Sequence, residues 1–284
     1  MQMNLLASIK LNNQFFQPII ISNGKWLFHN SRKKCCFSSS NVTFEYIIKK
    51  SYDCVFMDEI AYVANENGNI FRIDLETEDI VCLDYNFGID AEMYKLSNDS
   101  LLVSSIKDEF YRCAYIIKDE FVQKITNIPD FCIRIFGINE QIFFVSRNVN
   151  KSSKLSFYKG STSTKAKHYN TKNVNYVSVF SIDFLNLNMA ISNGKMIKIF
   201  DSNDNEIAKI KHFKTIMKFG WICNGKYFVV QHIKGFNIYN ARDFKLEYEY
   251  SVSNNDGFLD INYKYNNNYV CVNYKGAVKL FEII

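Results

Sequence analysis

The chain contains 284 residues and carries a formal net charge of +5 at neutral pH. Because 48% of the residues are apolar and 16% are aromatic, the composition supports a large buried core and excludes a mainly disordered chain. So small a net charge does not by itself indicate a nucleic-acid-binding protein.

Short β-rich runs separated by clusters of Asn, Gly, Asp and Ser fill the chain, and helical periodicity is weak throughout. This pattern predicts strands joined by tight turns. The first run is NLLASIKL, residues 4–11. After it, the runs fall into units of four strands, which we name a, b, c and d in chain order. The b strands are predicted to begin near Lys25, Glu59, Ser100, Gln141, Asn188, Lys226 and Asn268.

These starting points recur at intervals of about 40 residues, the period of four-stranded propeller blades. The a strands align over 16–22, 52–57, 91–96, 132–138, 176–182, 216–222 and 259–265. Asn-Gly pairs supply the positive φ angles of tight hairpins, and one of them, Asn193-Gly194, separates the b and c strands of its unit. The polar, lysine-rich stretch 159–175 is predicted to be a long c–d connection.

The last unit ends after its c strand, AVKLFEII, and the run 4–11 has no a strand before it. We therefore expect the N-terminal strand to complete the last blade, which would close the ring and remove two exposed sheet edges. The prediction is one domain over residues 1–284. Its fold class is all-β: a seven-bladed β-propeller of four-stranded antiparallel blades.

The repeated c strands resemble those of the WD-repeat β-propellers, whose c strand usually ends in Trp-Asp. The matching pairs in this chain are Ile73-Asp74, Phe200-Asp201, Tyr239-Asn240 and Phe281-Glu282. The resemblance covers the whole chain and implies that the b–c and d–a loops lie at one face of the propeller and the a–b and c–d loops at the other.

The b–c hairpins sum to a charge of +7, more than the net charge of the whole protein, whereas the opposite loops are acidic. Loops held in one plane can dock a partner of opposite charge. We expect a non-catalytic interaction platform whose basic face binds an acidic protein surface, an acidic peptide or a phosphate-bearing chain. Its predicted residues are Arg32, Lys33, Lys34, Arg147, Lys151, Lys154, Lys195, Lys234 and Lys275.

An alternative function is a small-ligand or metal site, with or without catalysis, at the mouth of the central channel. The second position of four aligned a strands is polar: Gln17, Asp53, Glu92 and Asp260. Converging oxygen atoms suit a hard cation such as Ca²⁺, and crowded carboxylates suit proton transfer. The same side chains could instead face a water-filled channel, or point between blades if the register is shifted by one.

No catalytic fingerprint accompanies these residues, so we predict neither an enzyme nor a cofactor. The cysteines show no C-x-x-C pair or zinc spacing and are expected to be free thiols in the cytoplasm. No stretch reaches the roughly 18 apolar residues that span a bilayer. Few aromatic residues neighbour the basic ones, which argues against nucleic acid as the partner. The chain is expected to act as a monomer or as a subunit of a larger complex.

Overall fold

The computed structural model contains β-strands as its only regular elements over the residues that it describes. No helix in these ranges is long and apolar enough to cross a membrane. The described residues are 2–10, 16–20, 26–30, 35–39, 42–46, 51–74, 76–77, 79–108, 111–138, 140–147, 154–161, 166–173, 179–183, 185–251, 260–262, 268–274 and 277–284.

The described residues form twenty-eight strands in succession. The first seventeen are β1 (Met3–Lys10), β2 (Phe16–Ile20), β3 (Trp26–Asn30), β4 (Cys35–Ser39), β5 (Val42–Tyr46), β6 (Ser51–Met57), β7 (Ile60–Asn65), β8 (Ile70–Asp74), β9 (Ile80–Cys82), β10 (Ile89–Lys95), β11 (Ser100–Asp108), β12 (Tyr111–Lys118), β13 (Phe121–Lys124), β14 (Cys132–Ile138), β15 (Gln141–Arg147), β16 (Lys154–Ser161) and β17 (Lys167–Asn173). The others are β18 (Val179–Ile182), β19 (Met189–Asn193), β20 (Met196–Phe200), β21 (Glu206–Lys211), β22 (Ile216–Ile222), β23 (Tyr227–His232), β24 (Gly235–Asn240), β25 (Leu246–Ser251), β26 (Asp260–Asn262), β27 (Tyr269–Tyr274) and β28 (Ala277–Ile283).

Six antiparallel sheets of four strands repeat along the chain, and the described pairings of a smaller sheet join β3, β4 and β5. In five of the six sheets the strand order follows the chain: β6–β9, β10–β13, β14–β17, β18–β21 and β22–β25. The sixth has the order β1-β28-β27-β26. Every predicted b strand begins within one residue of a strand start, from Trp26 to Tyr269, which confirms the repeat.

The first and last strands share the sixth sheet. β1 pairs antiparallel with β28 from Met3 opposite Ile283 to Lys10 opposite Ala277, with one irregularity in the register. Backbone bonds between Gln2 and Ile284, 3.2 and 3.0 Å long, continue the ladder beyond the strands. The segment expected to complete the last unit is thus a hydrogen-bonded strand.

Two compact units make up the chain: Met1–Ile20 together with Tyr176–Ile284, and Ile21–Asn175. In the first unit, Trp221 and Phe228 pack between the β18–β21 and β22–β25 sheets. Phe236 and Phe281 fill the space between β22–β25 and the β26–β28 sheet. Sheet-to-sheet packing therefore supplies the core of this unit.

The second unit repeats the same packing. Phe87 and Tyr115 lie in the cluster between the β6–β9 and β10–β13 sheets, with ring centroids 5.4 Å apart in an edge-to-face contact. Ile135 and Phe144 lie in the cluster between β10–β13 and β14–β17. Neighbouring sheets are thereby fixed against one another by large side chains that exclude water.

One predicted connection is wrong. The stretch 159–175 is not a loose loop, because residues 167–173 form β17 and pair with β16 from Lys154 opposite Asn173 to Lys159 opposite Lys167. An outermost strand is paired on one side only, so polar side chains along it remain in water and the strand lacks the apolar alternation of a buried one. Backbone pairing, which the composition does not reveal, determines this strand.

Candidate functional site

The structure describes the side chains of three residues from the predicted basic face: Arg147, Lys195 and Lys234. Lys154 is the first residue of β16. The remaining predicted positions lie outside the described residues: Arg32, Lys33, Lys34, Lys151 and Lys275.

Two short hairpins place lysines at one end of their sheets in the first unit. The β19–β20 hairpin turns through Gly194 and Lys195, and the β23–β24 hairpin turns through Ile233 and Lys234. Gly194 has a φ of 66°, the left-handed conformation that two-residue hairpin turns require. Both lysines are therefore carried by tightly defined turns rather than by long loops.

Two histidines connect these hairpins to the loop that follows β21. The backbone N–H of His212 donates to the carbonyl oxygen of Lys195 at 2.7 Å. The imidazole rings of His212 and His232 lie with their centroids 4.6 Å apart. The b–c hairpins of two sheets and the d–a loop between them thus meet at the same end.

Each histidine also accepts a backbone hydrogen bond from the lysine two residues later. The N–H of Lys234 donates to Nδ1 of His232 at 3.2 Å, and the N–H of Lys214 donates to Nδ1 of His212 at 3.4 Å. Burial lowers the pKa of both rings, and His212 and Lys214 add to the effect at His232, whose pKa falls to about 4. Both rings are consequently neutral at pH 7, with the proton on Nε2.

Acidification is expected to destabilise the fold through His232. The unfolded histidine binds a proton near pH 6.5, whereas the folded one does so only near its pKa of about 4, so the unfolded state binds more protons between these values. Stability should be lost as the pH falls through this window, by about 3 kcal/mol at 1.36 kcal/mol per pKa unit. Urea unfolding of the wild type and of His232→Asn at pH 7 and pH 4.5 measures this contribution.

The substitution should remove part of the pH dependence, and His168→Asn is the matched replacement of a histidine at the surface. His168 is exposed and contacts Tyr158 and Thr171 at the surface. An unchanged pH dependence in His232→Asn would show that the buried ring does not contribute.

Two apolar side chains stand at the tips beside the histidine pair. Phe213 follows His212 and is 97% exposed, and Ile233 follows His232 and is 54% exposed. A residue of this type usually contributes about 1.5–3 kcal/mol when it is buried. The two loop ends therefore present exposed apolar surface next to Lys214 and Lys234.

The second unit shows a related arrangement around Arg147. The backbone N–H of Arg147, at the end of β15, donates to the carbonyl oxygen of Phe131 at 3.1 Å. Phe131, in the loop before β14, makes an edge-to-face contact with Tyr111, with centroids 5.2 Å apart. These rings are 41% and 42% exposed, so this sheet end also combines a basic residue with accessible aromatic surface.

The carboxylates predicted at the channel mouth do occupy equivalent positions in their sheets. Asp53, Glu92 and Asp260 each oppose the fifth residue of the neighbouring b strand. Gln17 lies in β2.

In two other sheets the equivalent position is occupied by a basic residue. β6, β10, β14 and β22 all contain an extra residue just before this position, but the predicted a strands 132–138 and 216–222 begin before that residue. Their second residues, Ile133 and Met217, are therefore one place short of the equivalent position, which Arg134 and Lys218 occupy. A β-bulge inserts one residue into one strand and so shifts all earlier positions of the alignment. This equivalent position therefore carries cationic as well as anionic side chains.

The contacts of Asp53 and Glu92 join neighbouring sheets. Oδ2 of Asp53 accepts the backbone N–H of Met93 at 2.7 Å, which links β6 to β10. Oε1 of Glu92 accepts from Arg112 at 3.1 Å and from Arg134 at 3.0 Å. The charge of Glu92 is thus already matched by two guanidinium groups, one of them on the next sheet.

Tyr94 completes this network. Its hydroxyl donates to Oε2 of Glu92 at 2.9 Å, and burial, with the nearby charge of Glu92, raises its pKa well above the usual value. The phenol therefore stays protonated and acts as a hydrogen-bond donor. Within the described ranges, no three His, Cys, Asp or Glu side chains are grouped so that they could hold a metal ion.

Four cysteines whose side chains the structure describes are free thiols: Cys82, Cys113, Cys132 and Cys223. Burial raises the pKa of Cys132 to about 12 and that of Cys223 to about 11. Neither thiol is therefore a nucleophilic thiolate at neutral pH.

The opposite ends of two sheets in the second unit have a different character. A groove of about 570 Å³ lies there between the a–b and c–d turns. Asp99, Asp119 and Glu140 line it, and Lys118 pairs with Asp99 at 2.6 Å. The turns at this end are thus mainly acidic, in agreement with the sequence pattern of these a–b and c–d turns.

The association of His212 with His232 was not predicted from the sequence. The signal was a repeated tripeptide of histidine, an apolar residue and lysine, HFK at 212–214 and HIK at 232–234. The two copies belong to different loop types, so aligning equivalent strands does not bring them into register.

Searches for similar proteins provide no further assignment. No known protein-family model matches the chain, and no curated protein matches it.

Proposed function

We propose that the repeated sheets are the seven blades of a WD-repeat-like propeller closed by β1, and that this propeller is a non-catalytic interaction platform. Its basic loop face binds an acidic or phosphate-bearing partner, with an acidic protein or peptide favoured. The repeat and the pairing of β1 with β28 support the fold.

One observation carries the functional proposal. Lys195, Lys214 and Lys234 lie on loops that meet at one sheet end, beside the exposed side chains of Phe213 and Ile233. Positive groups raise the rate and specificity with which an acidic partner docks, and apolar contact slows its release. The combination suits recognition of a surface better than it suits chemistry.

The described contacts favour this function over the channel site. Glu92 is matched by Arg112 and Arg134, and Asp53 accepts a backbone hydrogen bond from the neighbouring sheet. Both carboxylates are thus committed to holding sheets together.

Charge reversal at the basic face tests the proposal. The basic-end variant changes Arg32, Lys33, Lys34 and Arg147 to Glu. We expect it to lose the partners that the wild type captures from native lysate, because four attractions become repulsions. Mass spectrometry of the captured proteins measures the loss.

The matched control variant carries the same number of reversals at a–b and c–d turns: Lys118, Lys226, Arg242 and Lys245 to Glu. It should retain the partners. Equal retention by the basic-end variant would refute the assignment of the binding face.

A further inference from the structure

We infer that Phe213 and Ile233 form an apolar anchor site for a short acidic peptide segment that carries one large apolar side chain. The inference rests on the proposed function, because it specifies the partner of the same basic loop end. It adds that charge alone does not define the partner: an apolar residue must lie within the acidic segment.

Burial of the exposed apolar surface on the two tips would supply the binding free energy of the anchor site. Phe213 is 97% exposed and Ile233 is 54% exposed, so a partner side chain packed between them would remove apolar surface on both sides from water. Burial of one large side chain contributes about 1.5–3 kcal/mol, which corresponds to roughly tenfold or more in affinity.

The loops that carry these tips are held by hydrogen bonds before any partner arrives. The N–H of Lys214 bonds to His212 and the N–H of Lys234 bonds to His232, and the contact between the two imidazole rings connects the two loops. A preorganised surface loses little conformational entropy on binding. The tips can thus act as a fixed pair.

Charge identifies the class of partner. Lys195 is exposed at the adjoining hairpin, and Lys214 and Lys234 directly follow the two apolar residues. Each apolar tip therefore has a cationic neighbour, and the complement is an apolar side chain flanked by Asp or Glu. Such alternation is common in acidic segments that fold or extend on binding.

A peptide fits this surface better than an anionic membrane does. Glu249 of β25 is paired with Asn237, whose side chain contacts the imidazole of His232, so a carboxylate lies near the histidine pair. A uniformly anionic bilayer would be repelled there, whereas a peptide can place a neutral or donor group at that point.

Fluorescence anisotropy with two synthetic peptides tests the inference at roughly 50 mM NaCl, where surface attraction is weakly screened. Both peptides contain about ten residues of alternating Asp and Glu, with a central Phe in one and a central Ser in the other. The wild type should prefer the Phe peptide by about tenfold. The double variant Phe213→Ser, Ile233→Ser should bind both peptides equally. The control Phe121→Ser, at the 81% exposed first residue of β13, should keep the preference.

Several results would overturn the inference: equal binding of both peptides to the wild type, a preference that survives in the double variant, or binding to neither peptide. Vesicles of phosphatidylserine and phosphatidylcholine serve as a second probe, and stronger binding to them that depends on Phe213 would replace the peptide with a membrane. The proposed function is tested separately, by comparing the proteins that the wild type and the basic-end variant capture. Loss of the apolar preference alone would therefore not contradict that function.

Discussion

Replacing Gly235 by alanine should destabilise the fold by about 4 kcal/mol or more, among the largest effects of a single methyl group. Gly235 has a φ of 152°, and a Cβ there would overlap the carbonyl oxygen of Tyr250 and lie 2.9 Å from its carbon. These are backbone atoms of the paired strand β25, so no rotamer change can relieve the clash. Urea unfolding followed by fluorescence measures the loss.

Gly194→Ala is the matched control, because this glycine also belongs to a b–c hairpin. Its φ is 66°, but nothing lies within 4 Å of an added Cβ. Only the left-handed backbone penalty of about 1–2 kcal/mol remains. Equal losses in the two variants would show that the close approach of β24 and β25 is not what requires Gly235.

Glu92→Gln should destabilise the fold by about 3 kcal/mol, because it leaves a buried guanidinium without its counter-charge. Arg112 has a side chain only 8% exposed, and Glu92 is 18% exposed. Thermal and urea unfolding, each with and without Ca²⁺ or Mg²⁺, measure the effect. We expect the same loss of stability in every condition, since the carboxylate of Glu92 bonds to Arg112 and Arg134 rather than to a metal cation.

Asp99→Asn is the matched control for this prediction. It breaks the ion pair between Asp99 and Lys118. The side chain of Lys118 is 57% exposed and that of Asp99 is 55% exposed, and such exposed pairs contribute little to stability. If a divalent cation stabilised the wild type but not Glu92→Gln, Glu92 would be a metal ligand rather than a link between sheets.

The strand repeat could be predicted because turn residues and β-rich runs are local signals. Every b strand begins within one residue of its predicted position, from Trp26 to Tyr269. β17 could not be predicted in this way, because its pairing with β16 is determined by the partner strand. Edge strands carry little sequence signal of their own.

The candidate site was less accessible to sequence analysis. Asp53, Glu92 and Asp260 share one position in their sheets, and Arg134 and Lys218 occupy that position in β14 and β22, one residue beyond the second residue of each predicted strand. A one-residue insertion is invisible in an alignment of apolar runs. Glu92, a predicted site residue, accepts hydrogen bonds from Arg112 and from Arg134 of the next sheet, which the sequence did not reveal.

The basic loop ends likewise combine features that the sequence predicts with features that only the packing of sheets determines. Their lysines follow from the hairpin sequences, whereas the contact between His212 and His232 depends on how two sheets pack. That contact brings the loops that carry Phe213 and Ile233 together, and both side chains are exposed. The sequence predicted only the charge of this surface, and the structure adds its apolar part.

Quantitative mass spectrometry of proteins retained from native lysate, at roughly 50 mM and 300 mM NaCl, tests the proposed binding face most directly. We predict an acidic partner that the wild type and the control variant hold at low salt, that both release at high salt, and that the basic-end variant does not hold. Retention of that partner by the basic-end variant, at either salt concentration, would contradict the proposed binding face.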